Sequence, residues 1–179
     1  MGDDGIQCDI DGDASTGETT DHEDEDSGNI YLEDGTLNIS VTADAAKGIK
    51  ADGDIRVTGG EITSNTSGNG TWDSDDNKTK ASAGMSADGN ITFKGGTYNS
   101  TNTGAGGKGI SGDGLLIVDD GTINVKTSGK IVAYVNSQIN NSYTISQAER
   151  ISNSDYKSSP KGIKIDGNIT INGGTVNVD

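Results

Sequence analysis

Residues 162–177 read GIKIDGNITINGGTVN. Apolar side chains stand at Ile163 and Ile165, at Ile169 and Ile171, and at Val176, each separated from the next by a polar residue or a turn. A period of two marks strands that bury one face. Asp166-Gly167 and Gly173-Gly174 supply the turn chemistry between them. The stretch therefore predicts three short strands joined by two tight corners.

The same frame recurs upstream. It reads GIKADGDIRVTGGEIT from Gly48, GMSADGNITFKGGTYN from Gly84 and GISGDGLLIVDDGTIN from Gly109. A fifth copy opens at Gly5-Ile6, breaks after Asp9, and resumes as GNIYLEDGTLN from Gly28. Gly84 and Gly109 lie 25 residues apart. Removing the stretch 10–27 gives the first copy that same length, so 25 residues is the basic unit. The chain then carries three insertions, at 10–27, 64–83 and 127–161, and copies starting at 5, 48, 84, 109 and 162. Repeats of this kind stack into arrays in which each unit adds one layer.

Three strands per 25 residues, joined by glycine corners, suit one turn of a parallel β-helix. The expected fold is all-β, a single solenoid domain over 1–179 of about five coils, roughly 24 Å long at one strand spacing per coil. A right-handed coil is expected by analogy. No unit shows a helical period, which argues against leucine-rich and ankyrin arrays. Composition taken alone would suggest disorder, because Ile, Val, Leu and Phe make up about 18% of the chain and its net charge is −15. The alternation overrides that reading, since each apolar residue is placed to point inward.

Charge and composition also narrow the function. Twenty-eight acidic residues against thirteen Lys and Arg repel a phosphate backbone, which disfavours nucleic acid. No apolar run approaches the length of a membrane span. The start, Met1-Gly2-Asp3-Asp4, has no basic or apolar leader character. One cysteine, Cys8, allows no internal disulfide. One histidine, His22, gives little support to zinc or to a Ser-His or Cys-His machinery.

The frame G-I-x-x-D-G-x-I-x-I-x-G-G-T-I-x-V, with GDDGI at 2–6, resembles a bacterial carbohydrate-binding domain family of calcium-containing parallel β-helices. These are surface proteins related in shape to pectate lyases. The resemblance covers all five copies but none of the insertions. It implies a non-catalytic, extracellular or cell-surface module that binds cellulose-like or acidic glycans with the help of Ca²⁺, with any leader absent from this sequence. The doubled aspartate before Gly-Ile is kept only as Asp3-Asp4, and the later copies carry Lys47, Ala83, Lys108 and Lys161 there.

Candidate residues follow from the aligned copies. Four positions after each opening glycine stand Asp9, Asp52, Asp88, Asp113 and Asp166. Stacked coils would place these carboxylates about 5 Å apart, so something must compensate their repulsion. Each Asp either caps its own turn as an Asx corner or shares Ca²⁺, which takes six to eight oxygens. Lys47, Lys108 and Lys161 are alternative neutralising partners. The best local calcium candidate is Asp9-Ile10-Asp11-Gly12-Asp13, beside Asp3 and Asp4. It begins like an EF-hand loop but has Ala14 and Thr20 where Gly and Glu belong. The acidic run 21–26 either adds ligands or is a solvated loop.

For carbohydrate, Trp72 with Asp73 and Asp75 offers an aromatic platform beside polar groups, unless the indole folds back over the solenoid. Arg56, between inward Ile55 and Val57, points outward. Tyr98 occupies an inward column, and Tyr134, Tyr143 and Tyr156 fall in the 127–161 insertion, a candidate hairpin or flap. Two other readings compete with a binding module. A surface fibre or adhesin segment would stack end to end through unpaired strand edges. A polysaccharide lyase would need Ca²⁺ and a base such as Arg56 or Arg150.

Overall fold

The computed structural model describes residues 4–10, 28–135, 138–139 and 154–179. Asp3, Asp11, Asp13, the acidic run 21–26, Tyr143 and Arg150 lie outside the described residues. In chain order the strands are β1 (Ile6–Cys8), β2 (Ile30–Leu32), β3 (Thr36–Val41), β4 (Lys47–Ala51), β5 (Ile55–Val57) and β6 (Glu61–Thr66). Next come β7 (Thr71–Asp73), β8 (Lys78–Lys80), β9 (Ala83–Ala87), β10 (Ile91–Asn102), β11 (Lys108–Gly112) and β12 (Leu116–Thr127). The rest are β13 (Val132–Val135), β14 (Gln138–Ile139), β15 (Lys157–Ser158), β16 (Lys161–Ile165), β17 (Ile169–Ile171) and β18 (Thr175–Val178). Among the described residues there is no α-helix, and one 3-10 turn spans Ser154–Tyr156.

Three parallel ladders organise these strands. The first runs β1-β4-β9-β11-β16. The second runs β2-β5-β10-β12-β17, and the third pairs β3 with β6, the latter half of β10, the latter half of β12, and β18. Each ladder takes one strand from every sequence copy, in copy order. The registers match the alignment: Ile6, Ile49, Met85, Ile110 and Ile163 are successive partners in the first ladder. Ile30, Ile55, Ile91, Leu116 and Ile169 are partners in the second, and Leu37, Ile62, Tyr98, Ile123 and Val176 in the third.

One expected corner is absent as a break. In the copies from Gly84 and Gly109 the second and third strands run together as the 12-residue β10 and β12. The chain bends there through register shifts between Phe93 and Thr97, the behaviour of a bulge. The glycine of this corner has positive φ in every copy, from +73° at Gly174 to +100° at Gly121, a conformation that a side chain would strain.

The opening glycine is required for a different reason. A Cβ on Gly84 would strike Ser100 Oγ, and one on Gly109 would strike Val125 Cγ1. The third ladder's inward residues thus pack directly on the first ladder's backbone. All three ladders contribute to one core: Ile49, Met85 and Ile110 meet Ile55, Ile91, Phe93 and Val118, and Ile62, Tyr98 and Ile123. Tyr98 is fully buried as its column predicts, its ring 6.0 Å from Phe93, and burial raises its phenol above the ordinary range.

The second and third insertions leave from one corner, after the third ladder and before the first. Residues 71–80 form the antiparallel hairpin β7–β8. Strand β13 pairs antiparallel with β14 and β15. Trp72 stacks on Tyr156, with centroids 5.5 Å apart and planes at 18°, and tilts against Tyr134 at 6.3 Å. Tyr134 donates to Gly70 O at 2.6 Å. These two insertions are therefore joined by an aromatic cluster.

Candidate functional site

The aspartate column forms as the repeat predicts. Asp52, Asp88, Asp113 and Asp166 each donate their backbone N–H to the preceding rung, at Cys8, Ala51, Ala87 and Gly112. For Asp9, Asp52 and Asp166 the compensation comes from the position two residues earlier, where Asp88 and Asp113 have Ser86 and Ser111. Lys50 pairs with Asp52, Lys164 with Asp166 at 2.6 Å, and Gln7 Nε2 donates to both oxygens of Asp9 at 2.6 and 2.9 Å. The hydrogen bond from Lys50 holds Asp52 below the usual carboxylate range. Burial pulls Lys50 down, but the bond and charge of Asp52 outweigh it and leave the lysine raised.

Lys47 and Lys108 serve another purpose than neutralising this column. Each turns its ammonium back onto the carbonyl two residues earlier, Ala45 O at 2.7 Å and Gly106 O at 2.8 Å. Lys108 also donates to Ser158 Oγ at 2.6 Å and Ser159 O at 2.8 Å. It thereby ties the end of the last insertion to the fourth rung. Burial, with Lys161 and Lys164 nearby, brings Lys108 down to about 8.

The turn capping expected of the aspartate column is done two residues later. Asn29 Oδ1 accepts from Asp54 N at 2.6 Å, Asp54 Oδ1 from Asn90 N at 2.6 Å, and Asn90 Oδ1 from Leu115 N at 3.0 Å. Each side chain caps the next rung rather than its own turn. Among the described residues no three His, Cys, Asp or Glu gather where a metal could sit. Asp52 is engaged by Lys50, while Asp88 and Asp113 are exposed on successive rungs. Asp4 accepts from Lys47 N at 2.6 Å. The described part of the column thus does not fit a calcium site, and Asp3, Asp11 and Asp13 lie outside the described residues.

The proposed carbohydrate residues divide between two places. Trp72 is half-buried, with one face against Tyr156. Asp73 Oδ1 caps the hairpin turn, accepting from Asp75 N at 2.9 Å and Asp76 N at 3.2 Å, while Asp75 is exposed. Arg56 stands elsewhere, on the outer face of the second ladder. There it lines a groove of about 360 Å³ with Tyr31, Asp54, Thr92, Lys94, Ile117 and Asp119.

Ladder register explains the groove. Tyr31, Arg56, Thr92 and Ile117 are successive partners facing outward between the inward columns. Lys94 and Asp119 follow the inward Phe93 and Val118 by one residue and line the same groove, although a register shift pairs Lys94 with Asp120 in the ladder. Neither Arg56 nor Lys94 forms an ion pair among the described residues. Asp119 Oδ1 accepts from Asn172 Nδ2 at 2.8 Å. The groove therefore presents an aromatic ring, two cations, and carboxylates with acceptor capacity left. Sequence reasoning found Arg56 but missed Tyr31, Lys94, Asp54 and Asp119. The parity that turned Arg56 outward, carried across the aligned copies, points to Tyr31 directly.

A second groove, of about 520 Å³, lies on the third ladder along Asn99, Asn124, Asn177, Thr101, Lys126 and Asp179. Its amides bond each other: Asn124 Nδ2 donates to Asn99 Oδ1, and Asn177 Nδ2 to Asn124 Oδ1, both at 2.8 Å. It holds no aromatic residue. No helix among the described residues is long and apolar enough to cross a membrane.

No curated protein and no solved structure matches this chain. A family model does, over residues 2–128 and again over 89–179. Together the matches span nearly the whole sequence, and the chain belongs to the family described as carbohydrate-binding domain-containing protein.

Proposed function

We propose that this protein is a non-catalytic polysaccharide-binding module working outside the cell, and that its binding face is the outer surface of the second ladder. The observation that carries the reading is the groove holding Tyr31, Arg56, Lys94, Asp54 and Asp119 on adjacent rungs. Sugars are recognised by an aromatic or apolar face together with a few convergent polar groups. Tyr31 supplies the first; Arg56 and Lys94 donate, and Asp54 and Asp119 accept from hydroxyls. The larger third-ladder groove is the weaker candidate, because its amides are engaged with one another. The same reading takes the three ladders to close as a right-handed parallel β-helix, one module over 1–179, which sets the groove along a straight face suited to a linear chain of sugars. Family membership supports carbohydrate as the ligand; cellulose-like and acidic glycans are the proposed classes. A calcium contribution rests on the spacing of Asp9, Asp11 and Asp13 in the sequence.

The test is retention of the whole chain on immobilised cellulose and polygalacturonate, with millimolar calcium and again with a chelator. Retention that is lost in Tyr31→Ala and Arg56→Ala supports the groove. Loss on chelation in the unmodified chain supports the calcium contribution. No retention on either polymer contradicts the binding reading.

A further inference from the structure

The fourth rung, the copy from Gly109, departs from its neighbours at two outward positions. Where the second and third rungs carry Asp54 and Asn90, whose side chains cap the rung that follows, the fourth carries Leu115. A leucine side chain has no acceptor to offer, so the series of caps stops there. Two residues on stands Ile117, whose ladder partners are Thr92 and Thr170. Leu116 and Val118 point inward and are at most 1% exposed, so Leu115 and Ile117 share the outer face. Leu115 is 39% exposed, and on the second, third and fourth rungs no other large apolar side chain is so exposed among the described residues. This rung gives up a hydrogen bond and turns two aliphatic side chains outward, which folding alone does not reward.

Ile117 also lines the second-ladder groove, at the opposite end from Tyr31. Tyr31, Arg56, Thr92 and Ile117 are successive partners, so the aromatic and aliphatic contacts stand three rungs apart. At one strand spacing per rung that is about 14 Å. Tyr31 Oη accepts from Asn29 Nδ2 at 3.2 Å, which steadies the ring at its end of the groove. The spacing of rungs is close to the length of one sugar in an extended 1,4-linked chain.

We propose that Leu115 and Ile117 form a second apolar subsite, and that a linear polysaccharide lies across the strands, one sugar to a rung, from Tyr31 to Ile117. This rests on the reading of the second ladder as the binding face. Pyranose rings present an apolar C–H face, which Tyr31 meets at one end and the aliphatic pair at the other. Arg56 and Lys94, on the second and third rungs, meet the polar substituents of the sugars in between. A chain lying along a single strand would instead meet Asp54, Arg56 and Thr58 and never reach Ile117.

Calorimetric titration of the whole chain with cello- and galacturonate oligosaccharides of increasing length tests this. In the series that binds, affinity is predicted to climb from the disaccharide to about four sugars and then level. The double variant Leu115→Asn with Ile117→Thr restores the residue types of the rungs on either side, Asn90 and Asn168, Thr92 and Thr170. It is predicted to keep the native circular dichroism spectrum and melting, to bind the tetrasaccharide about tenfold more weakly, and to lose most of the gain with length. Affinity already level at the disaccharide overturns the axial track and leaves the groove in place. So does a folded double variant that binds the tetrasaccharide as tightly as the native chain. No binding at any length, in either series, overturns the groove reading and this one with it.

Discussion

Lys108 offers the sharpest test of how the last insertion is held. It is 7% exposed and donates to Gly106 O, Ser158 Oγ and Ser159 O. Burial lowers it from the ordinary 10.5 to about 8. The folded state thus binds the proton less tightly than the unfolded chain does. The sign follows: the unfolded state carries more protons between those two values, so stability rises with pH across that window. Below about pH 8 the charged lysine costs up to about 3 kcal/mol, because each tenfold loss of proton affinity is worth roughly 1.4 kcal/mol. Between pH 7 and pH 9.5 the native protein therefore gains up to about 2 kcal/mol that Lys108→Met does not. The three oxygen acceptors favour the charged form, which makes this an upper value. Urea midpoints of both proteins at the two pH values measure it directly. Parallel pH dependences in the two proteins would refute the burial argument, and a native protein that loses stability against the variant over this range would reverse its sign.

Other perturbations follow from the same packing. Gly84→Val forces a side chain into Ser100 Oγ and the backbone of the next rung; a loss of at least about 1–3 kcal/mol is expected in denaturant melts. Ile91→Ala, at a fully buried position, should cost about 2–5 kcal/mol, while Leu115→Ala, 39% exposed, should stay within about 0.5 kcal/mol. Asp52 is held low by Lys50, so their pair contributes above the ordinary carboxylate range and is lost on acidification. Both side chains are partly exposed, so Lys50→Met should flatten the acid limb of a stability–pH curve by no more than about 1 kcal/mol.

Much of the fold was legible because the repeat is nearly noise-free in its apolar columns. Ile55, Ile91, Leu116 and Ile169 align in sequence and are ladder partners in space. The opening Gly109 and the corner Gly121 could be placed as well, although alignment alone did not show that one is fixed by contact with Val125 and the other by positive φ. The continuous β10 and β12 were not foreseen, since a Gly-Gly or Asp-Gly pair reads equally as a turn or as a bulge.

Polar columns were harder to read. An aspartate before glycine suggests local capping, yet here the cap is given by Asp54 and Asn90 to the following rung, a relation invisible without knowing which copies touch. Lysines beside an acidic corner suggested neutralisation, but strand direction turns Lys47 and Lys108 back onto carbonyls and leaves Lys50 and Lys164 to pair. The carbohydrate residues followed the same rule. Arg56 was identified from parity within one copy, whereas Tyr31 and Lys94 join it only across copies. Trp72, the conspicuous aromatic residue, has an indole face against Tyr156.

The location of the binding face can be read from chemical-shift changes of the isotope-labelled chain on titration with soluble cello- and galacturonate oligosaccharides. Perturbations concentrated at Tyr31, Arg56, Thr92, Lys94 and Asp119 are the predicted result. Perturbations centred on Trp72, Asp73 and Asp75, or confined to the third ladder around Asn99 and Asn124, would contradict the assignment to the second ladder.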